Sequence, residues 1–284
     1  NHYGKTPPCT KSIIKSGINE VVYSINDIDK KVKGKSFKIL KKKNIKVKKG
    51  ILEKETKELY ESYFVNRKYK LPFVTAKIAI SKNKLIFSES VKRITNQTSN
   101  KISHYLRFKN DAILISSKTL NIDNPKLNCR LKGFEKFSPK RIILDKDLDI
   151  DLNTYILKSI EKNNTIIFHS SSKIPKIKIL KKKGIILVKQ KLNKEKRFDL
   201  KTVLKKLFLL GVRNLLVEGG DKITKNILKN NLVNQFYLFK SQKNLPRTKN
   251  HVIFTSNDIL MNKYKIRSKI ISNLAKDHIT IYKR

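Results

Sequence analysis

The residues best able to do chemistry stand together at Glu218-Gly219-Gly220-Asp221-Lys222-Ile223-Thr224. An acid precedes two glycines, and the run from Lys222 to Asn230 places Ile223, Ile227 and Leu228 on one helical face. A helix start offers unpaired N–H groups to an anion, and glycine lets a phosphate approach the backbone closely. The chain holds only nine glycines in 284 residues, so an adjacent pair is informative. The pattern has neither the three spaced glycines of a dinucleotide fingerprint nor the lysine and hydroxyl of a Walker loop. An ordinary tight turn between strand and helix is the competing reading. The arginines are the second group of candidates. Lysine outnumbers arginine 56 to 10, so Arg93, Arg107, Arg130 and Arg141 stand out as positions where a planar fork is needed to grip phosphate or carboxylate.

A third candidate is Cys9, which follows Pro7-Pro8 and enters a helix. A helix N-terminus lowers a thiol's pKa, and zinc nucleoside deaminases present a thiolate in this way. Such a site needs a histidine and two cysteines as ligands and a glutamate for proton transfer, so Cys9 alone cannot hold zinc. A buried structural thiol is its plainer reading.

The elements that position these residues can be read in order. Residues 1–70 alternate helix and strand: a helix from Lys11 to Ser16 ended by Gly17, a strand from Val21 to Ile25, a helix from Ser36 to Lys43, a strand from Ile45 to Lys48 and a long helix from Glu53 to Arg67. Leu71-Pro72 marks a boundary. Phe73 to Ser81 is then a strand, followed by a loop from Ser81 to Ser90, an amphipathic helix from Thr98 to Lys109 and a buried strand from Ala112 to Ser116. Thr119 to Pro125 is polar and turn-rich. Arg141 to Leu144, Thr165 to His169 and Ile185 to Lys189 are strands. Leu200 to Leu210 is a helix leading to the strand Leu215 to Val217, and Gln235 to Lys240 and His278 to Tyr282 close the sheet. The expected fold is α/β, a mostly parallel sheet flanked by helices.

Composition bounds the function. The hydrophobic share of 39% with recurrent β-branched and aromatic runs indicates a folded chain, and no apolar run approaches the length of a membrane span. Two cysteines, Cys9 and Cys129, make no disulfide framework and point to the cytoplasm. A net charge of +44 suggests nucleic acid, but the positive residues are spread along the whole chain and are almost all lysine. With abundant Ile and Asn, this pattern reads as codon drift rather than as a polyanion surface. The charge still draws phosphorylated substrates inward.

On these residues the chain resembles the bifunctional riboflavin biosynthesis deaminase–reductases. Asn1-His2-Tyr3-Gly4-Lys5-Thr6-Pro7-Pro8-Cys9 is similar to the second zinc half-motif of that family. Thr119-Leu120-Asn121-Ile122-Asp123-Asn124-Pro125-Lys126-Leu127-Asn128-Cys129-Arg130 is similar to its Thr-x4-Asp-x-Pro-x-Leu-x2-Arg segment. Leu216-Val217-Glu218-Gly219-Gly220 resembles its Val-Glu-Gly-Gly turn, and Leu232-Val233-Asn234 the start of the next strand.

The resemblance implies residues 1–70 as the C-terminal remnant of a zinc deaminase domain of cytidine-deaminase type, with Cys9 its one metal ligand. The family's His-Ala-Glu element and first metal cysteine fall upstream of Asn1, so the deaminase site is incomplete and the chain reads as truncated. It implies residues 71–284 as a dihydrofolate-reductase-like domain that uses NADPH to reduce 5-amino-6-(5-phosphoribosylamino)uracil to its ribitylamino product, in a homo-oligomer. Carried over by position, Ala79, Arg93, Thr119, Asp123 and the stretch Gly220, Asp221, Lys222, Ile223, Thr224, Lys225 and Asn226 contact the cofactor. Arg107, Leu127, Arg130 and Glu218 contact substrate, with Glu218 also catalytic. Two departures stand out: the Ser81 to Ser90 loop is short and lysine-rich and lacks the family's Asp-Gly, and Arg93 falls where a Trp often sits.

Plainer roles remain open for several of these residues. Arg107 could cap the last carbonyls of its helix, Glu218 could merely favour a helix start, and Asp123 could cap the Asn124-Pro125 turn. Two rival functions are a reductase of the same fold acting on another pyrimidine or a pterin, and a basic nucleic-acid binder.

Overall fold

Pro72 removes a backbone donor and restricts the residue before it, and here the chain divides into two compact units, Asn1–Leu71 and Pro72–Arg284. The computed structural model describes residues 3, 6–29, 32–91, 93–159, 164–270 and 277–283.

The first unit holds α1 (Cys9–Lys15), β1 (Glu20–Tyr23), α2 (Lys35–Lys41), β2 (Lys46–Lys49), α3 (Glu53–Leu59) and α4 (Glu61–Tyr69). β1 and β2 pair in parallel from Glu20↔Lys46 to Tyr23↔Lys49. The long helix expected from Glu53 to Arg67 is bent into two at Tyr60, which sits at φ −94°, ψ 10°. The bond from Tyr60 N to Thr56 O and that from Phe64 N to Tyr60 O persist, so the helical ladder runs through the bend.

The second unit begins with β3 (Phe73–Ile80), β4 (Leu85–Ser88), α5 (Gln97–Lys109), β5 (Ala112–Ser116) and α6 (Ser117–Asp123). It continues with β6 (Lys140–Leu144), α7 (Tyr155–Lys158), β7 (Thr165–His169), α8 (Ile174–Lys182), β8 (Ile186–Lys189), α9 (Leu200–Leu209), β9 (Asn214–Val217) and α10 (Asp221–Lys229). β10 (Gln235–Lys240), β11 (His251–Ile253), α11 (Asn257–Lys263), β12 (Lys265–Ile270) and β13 (His278–Lys283) complete it. Among the described residues the main sheet has the order β12-β13-β10-β3-β9-β5-β6-β7-β8. The run from β10 to β8 is parallel, and β13 returns antiparallel to β10. Strands covered on both faces need apolar residues without alternation, which explains the uninterrupted runs of β5, β6, β7 and β9. Ile113, Ile142, Ile143, Ile167, Leu215 and Leu216 are all fully buried.

Two stretches depart from the sequence reading. The loop expected from Ser81 to Ser90 contains β4, which pairs with β11 as a separate antiparallel ribbon. The polar Thr119 to Pro125 stretch is mostly α6. Its residues are weak helix formers, but the Ser116 hydroxyl accepts from Thr119 N and Leu120 is fully buried, so a cap and one anchor override propensity. Asn124, at φ 39°, then ends the helix in the left-handed region.

Candidate active site

In open α/β sheets ligands collect beyond the carboxyl ends of the central strands. Here β9 lies between β3 and β5, with Val217 opposite both Ala76 and Leu114. The three strand ends open into a cleft of about 710 Å³. Glu218 leaves β9 with its N–H donating to Leu114 O at 3.1 Å, which fixes the acid at the cleft floor.

Glu218 is held in a bidentate pair with Arg107 of α5. Arg107 Nε donates to Oε1 at 3.1 Å and Nη2 to Oε2 at 2.8 Å, and both side chains are 13% exposed. Arg107 Nη1 donates to Asn128 O at 3.2 Å. Burial alone would raise the Glu218 carboxyl, but Arg107 and Lys77 overcome it and hold the pKa down at about 2. The fork of Arg107 is therefore taken by Glu218 rather than open to a phosphate, and its side chain does not cap the end of α5. Glu218 in turn is more than an acid favourable at a helix start.

Lys77, on β3, lines the same cleft with its ammonium 5.0 Å above the Phe239 ring. Burial lowers its pKa, Glu218 opposes the shift and Arg107 adds to it. His104, one helical turn before Arg107, is buried, and its Nδ1 accepts from Arg130 N at 3.2 Å. Burial first, and then Arg107 and Arg130, push its pKa down to about 4, so the ring is neutral at pH 7. Arg130 itself is exposed, with Nη1 donating to Asn128 Oδ1 at 2.8 Å. Its own pKa is lowered by partial desolvation, by Arg107 and by Arg93, which places three arginines within electrostatic reach of one another.

The other wall of the cleft is the start of α10. Gly220 is the N-cap and provides no side-chain cap, so no side chain competes for the first N–H groups. Gly219 is needed for packing, because a Cβ there would lie 2.9 Å from Ile223 Cβ. At Gly220 the nearest atom to an added Cβ is Thr119 Oγ1 at 4.0 Å across the gap. Neither residue has the positive φ of a strained turn. Asp123 stands at the cleft mouth, open to water yet against apolar walls that raise its pKa. Its carboxylate takes part in no hydrogen bond among the described residues, so it does not cap the turn after it.

Of the residues singled out from sequence, the cleft brings together Ala79, Thr119, Asp123, Glu218, Gly220, Asp221, Lys222 and Ile223. Arg107 reaches it through Glu218. The rest of the helix's first two turns does not line the cleft. Thr224 is buried with its hydroxyl donating to Gly219 O, Lys225 reaches Thr255 Oγ1, and Asn226 accepts from Asn230. The Leu127 side chain lies in the core, at φ 54°. Arg93 does not line the cleft, although the next residue, Ile94, does. Cys9 is exposed rather than buried, and among the described residues no group of three His, Cys, Asp or Glu could hold a metal. His2 lies outside the described residues. Sequence reasoning missed Lys77, His104 and the ribbon residues Ile86, Phe87, Val252 and Ile253 that form the cleft's apolar wall. A lysine inside an apolar strand is the one signal that could have been found.

Comparison with known proteins identifies the family. The family model described as the RibD C-terminal domain matches residues 72–269. The riboflavin biosynthesis protein RibD of Aquifex aeolicus is 32% identical over 290 residues, spanning the whole of this chain and 78% of that protein. RibD of Buchnera aphidicola is 31% identical over 272 residues, 90% of this chain and 71% of its own length. Among solved structures, the deaminase/5-amino-6-(5-phosphoribosylamino)uracil reductase of Thermotoga maritima is 27% identical with a TM-score of 0.81, covering 99% of this chain and 76% of that one. Acinetobacter baumannii RibD shares the fold, with a TM-score of 0.81 at 24% identity over the whole of this chain and 77% of that one. The chain belongs to the RibD family of riboflavin biosynthesis proteins, and its second unit carries the C-terminal domain of that family.

Proposed function

We propose that the cleft of the second unit binds NADPH at the start of α10 and reduces the ribosyl group of 5-amino-6-(5-phosphoribosylamino)uracil to ribityl. As a RibD-family riboflavin biosynthesis enzyme, the chain is an oxidoreductase through this unit. The observation that carries the assignment is adjacency: the ionised Glu218 and the uncapped α10 start are consecutive at the end of β9 and open into one cleft.

The residues present fit the cofactor. The gap between Gly220 and Thr119 is a cradle that an added Cβ would narrow, and the bare N–H groups behind it suit a pyrophosphate. Bound NADPH supplies a hydride for C1′ of the substrate. Ring opening passes the N–H proton to the ring oxygen and leaves a C1′=N imine, so reduction needs one further proton at nitrogen. Lys77, whose ammonium is made more acidic by burial, supplies it. Glu218, ionised at every working pH, faces the carbon where positive charge develops. Arg107 keeps that carboxylate in one orientation, and Arg130, exposed and within electrostatic reach of Arg107, takes the substrate phosphate with Arg93 adding field. The apolar ribbon wall limits water at the reacting carbon. The enzyme works as a homo-oligomer in the cytoplasm.

Zinc is a different matter. Among the described residues Cys9 has no companion ligand, so no deamination step is assigned to this chain.

The test is NADPH oxidation followed by absorbance, with the deaminated ribosylaminopyrimidinedione phosphate as substrate and no added zinc. Turnover is expected, with about 10²-fold or greater loss on Glu218→Ala and a raised KM for substrate on Arg130→Ala. Binding of NADPH without consumption would remove the substrate assignment, and absence of binding would remove the reductase reading.

A further inference from the structure

We propose that Asp221 is a positioning residue, whose carboxylate clasps the segment after β11 to the start of α10 and so fixes the β4–β11 ribbon as a wall of the cofactor cleft. The proposal rests on the reading of this cleft as the NADPH site.

The ribbon has two strands, paired from His251↔Ser88 to Ile253↔Leu85 and joined to no third strand among the described residues. A two-stranded ribbon is marginal by itself, so its position depends on anchors. One is Phe254, which donates its N–H to Lys84 O at 2.9 Å and packs its ring 6.5 Å from that of Phe236. The Asp221 clasp anchors the ribbon from the α10 side, where Lys225 also reaches Thr255 Oγ1. Thr255 N donates to Oδ1 at 2.9 Å, Thr255 Oγ1 donates to Oδ2 at 2.5 Å, and Ser256 Oγ donates to Oδ1 at 3.1 Å. Both carboxylate oxygens are thus used by a segment 34 and 35 residues away in sequence.

An acid in the first turn of a helix ordinarily folds back on the helix's own N–H groups or stays in water near them. Beside a phosphate site that arrangement would compete with the ligand. Here the carboxylate points at Thr255 and Ser256 instead, while Gly220 leaves the helix start uncapped. One side chain therefore does two things. It ties Ile86, Phe87, Val252 and Ile253 into the cleft wall, and it keeps its charge occupied by donors other than the ones a phosphate needs.

The test combines cofactor binding with a readout that needs no cofactor. Asp221→Ala is expected to raise the NADPH Kd by calorimetry about tenfold, the effect of losing hydrogen bonds to a charged group. The kinetic loss should fall on KM for NADPH far more than on kcat. In cofactor-free protein, amide hydrogen exchange across residues 252–256 should accelerate. Asp221→Asn keeps one acceptor for Thr255 N and should recover part of both effects. Thr255→Val removes one donor, and its effect on Kd should be less than additive with Asp221→Ala. Asp221→Ala binding NADPH as tightly as the parent, or more tightly, would overturn the proposal, because removal of a charge beside the phosphates would then be the whole effect. Unchanged exchange at 252–256 would overturn it equally. Failure of the parent protein to bind NADPH would remove the reading of the cleft, while the exchange measurement would still decide whether the clasp exists.

Discussion

Arg107→Met tests the electrostatic arrangement of the cleft most directly. The Arg107–Glu218 pair has two short contacts, and both side chains are 13% exposed. Removing one partner of a buried pair leaves an uncompensated charge and costs about 3–5 kcal/mol. Methionine fills most of the arginine's volume, so the cavity contribution is small. The expected result is a loss of that size in urea unfolding at pH 7. Glu218→Gln in the same background should return much of it, because the stranded charge is gone. The pH dependence follows with a definite sign. Glu218 is held at about 2, below its ordinary value, so its contribution to stability is present above pH about 4.5 and is lost as pH falls through about 2. Without Arg107 the opposing burial dominates and the carboxyl titrates higher. The acid limb of both stability and kcat should then move toward neutral pH. A loss below about 1 kcal/mol would mean that the pair behaves like a solvent-screened surface pair, and an unmoved acid limb would mean that Arg107 does not hold Glu218 ionised; either result refutes the reasoning.

Further outcomes follow from the same geometry. His104 has a folded pKa of about 4 against an ordinary 6.5, so the unfolded chain binds the proton more tightly and stability falls as pH drops through that window, by about 3 kcal/mol; His104→Gln should flatten the difference in unfolding free energy between pH 7 and pH 4. Gly219→Ala brings a Cβ to 2.9 Å from Ile223 Cβ and should cost about 1–3 kcal/mol in thermal unfolding, whereas Gly220→Ala meets nothing nearer than 4.0 Å, keeps the fold and weakens NADPH binding. Lys77→Met should abolish turnover while leaving NADPH bound, and in the parent enzyme the alkaline limb of kcat should fall below the ordinary lysine range, since burial lowers that pKa.

How far the sequence revealed this site depends on which residues carried a contrast. The central strands were legible because burial on both faces demands apolar runs such as Ile113-Leu114-Ile115 and Ile166-Ile167-Phe168. The Glu218-Gly219-Gly220 turn was legible because glycine is scarce, although the reason for Gly219 is the Ile223 packing rather than a turn conformation. The ribbon was not legible. β4 has only four residues, Leu85-Ile86-Phe87-Ser88, set between Lys84 and Glu89, and it gains its pairing from β11, more than 160 residues later. Nothing local specifies such a strand. α6 was misread for a related cause, since Thr119, Asn121 and Asp123 favour turns and only the Ser116 cap and buried Leu120 decide otherwise.

The arginine contrast worked and misled at once. In a chain with so few, Arg107 and Arg130 were marked as positions where a planar fork is needed, and Arg107 does use its fork on a carboxylate. Both were expected to contact substrate, but the Arg107 fork closes on Glu218, and of the two only Arg130 remains exposed. A fork is suited equally to carboxylate and phosphate, so residue type alone cannot separate a ligand contact from an internal pair. The same abundance that made arginine conspicuous hid Lys77. Its neighbours Ala76 and Ile78 are buried, and an ammonium in that strand is costly unless something compensates. In a chain of average composition a lysine there would have stood out. Here it was one of 56, and only the folded geometry, with Lys77 between the Phe239 face and the Glu218 carboxylate field, separates it from the many other lysines.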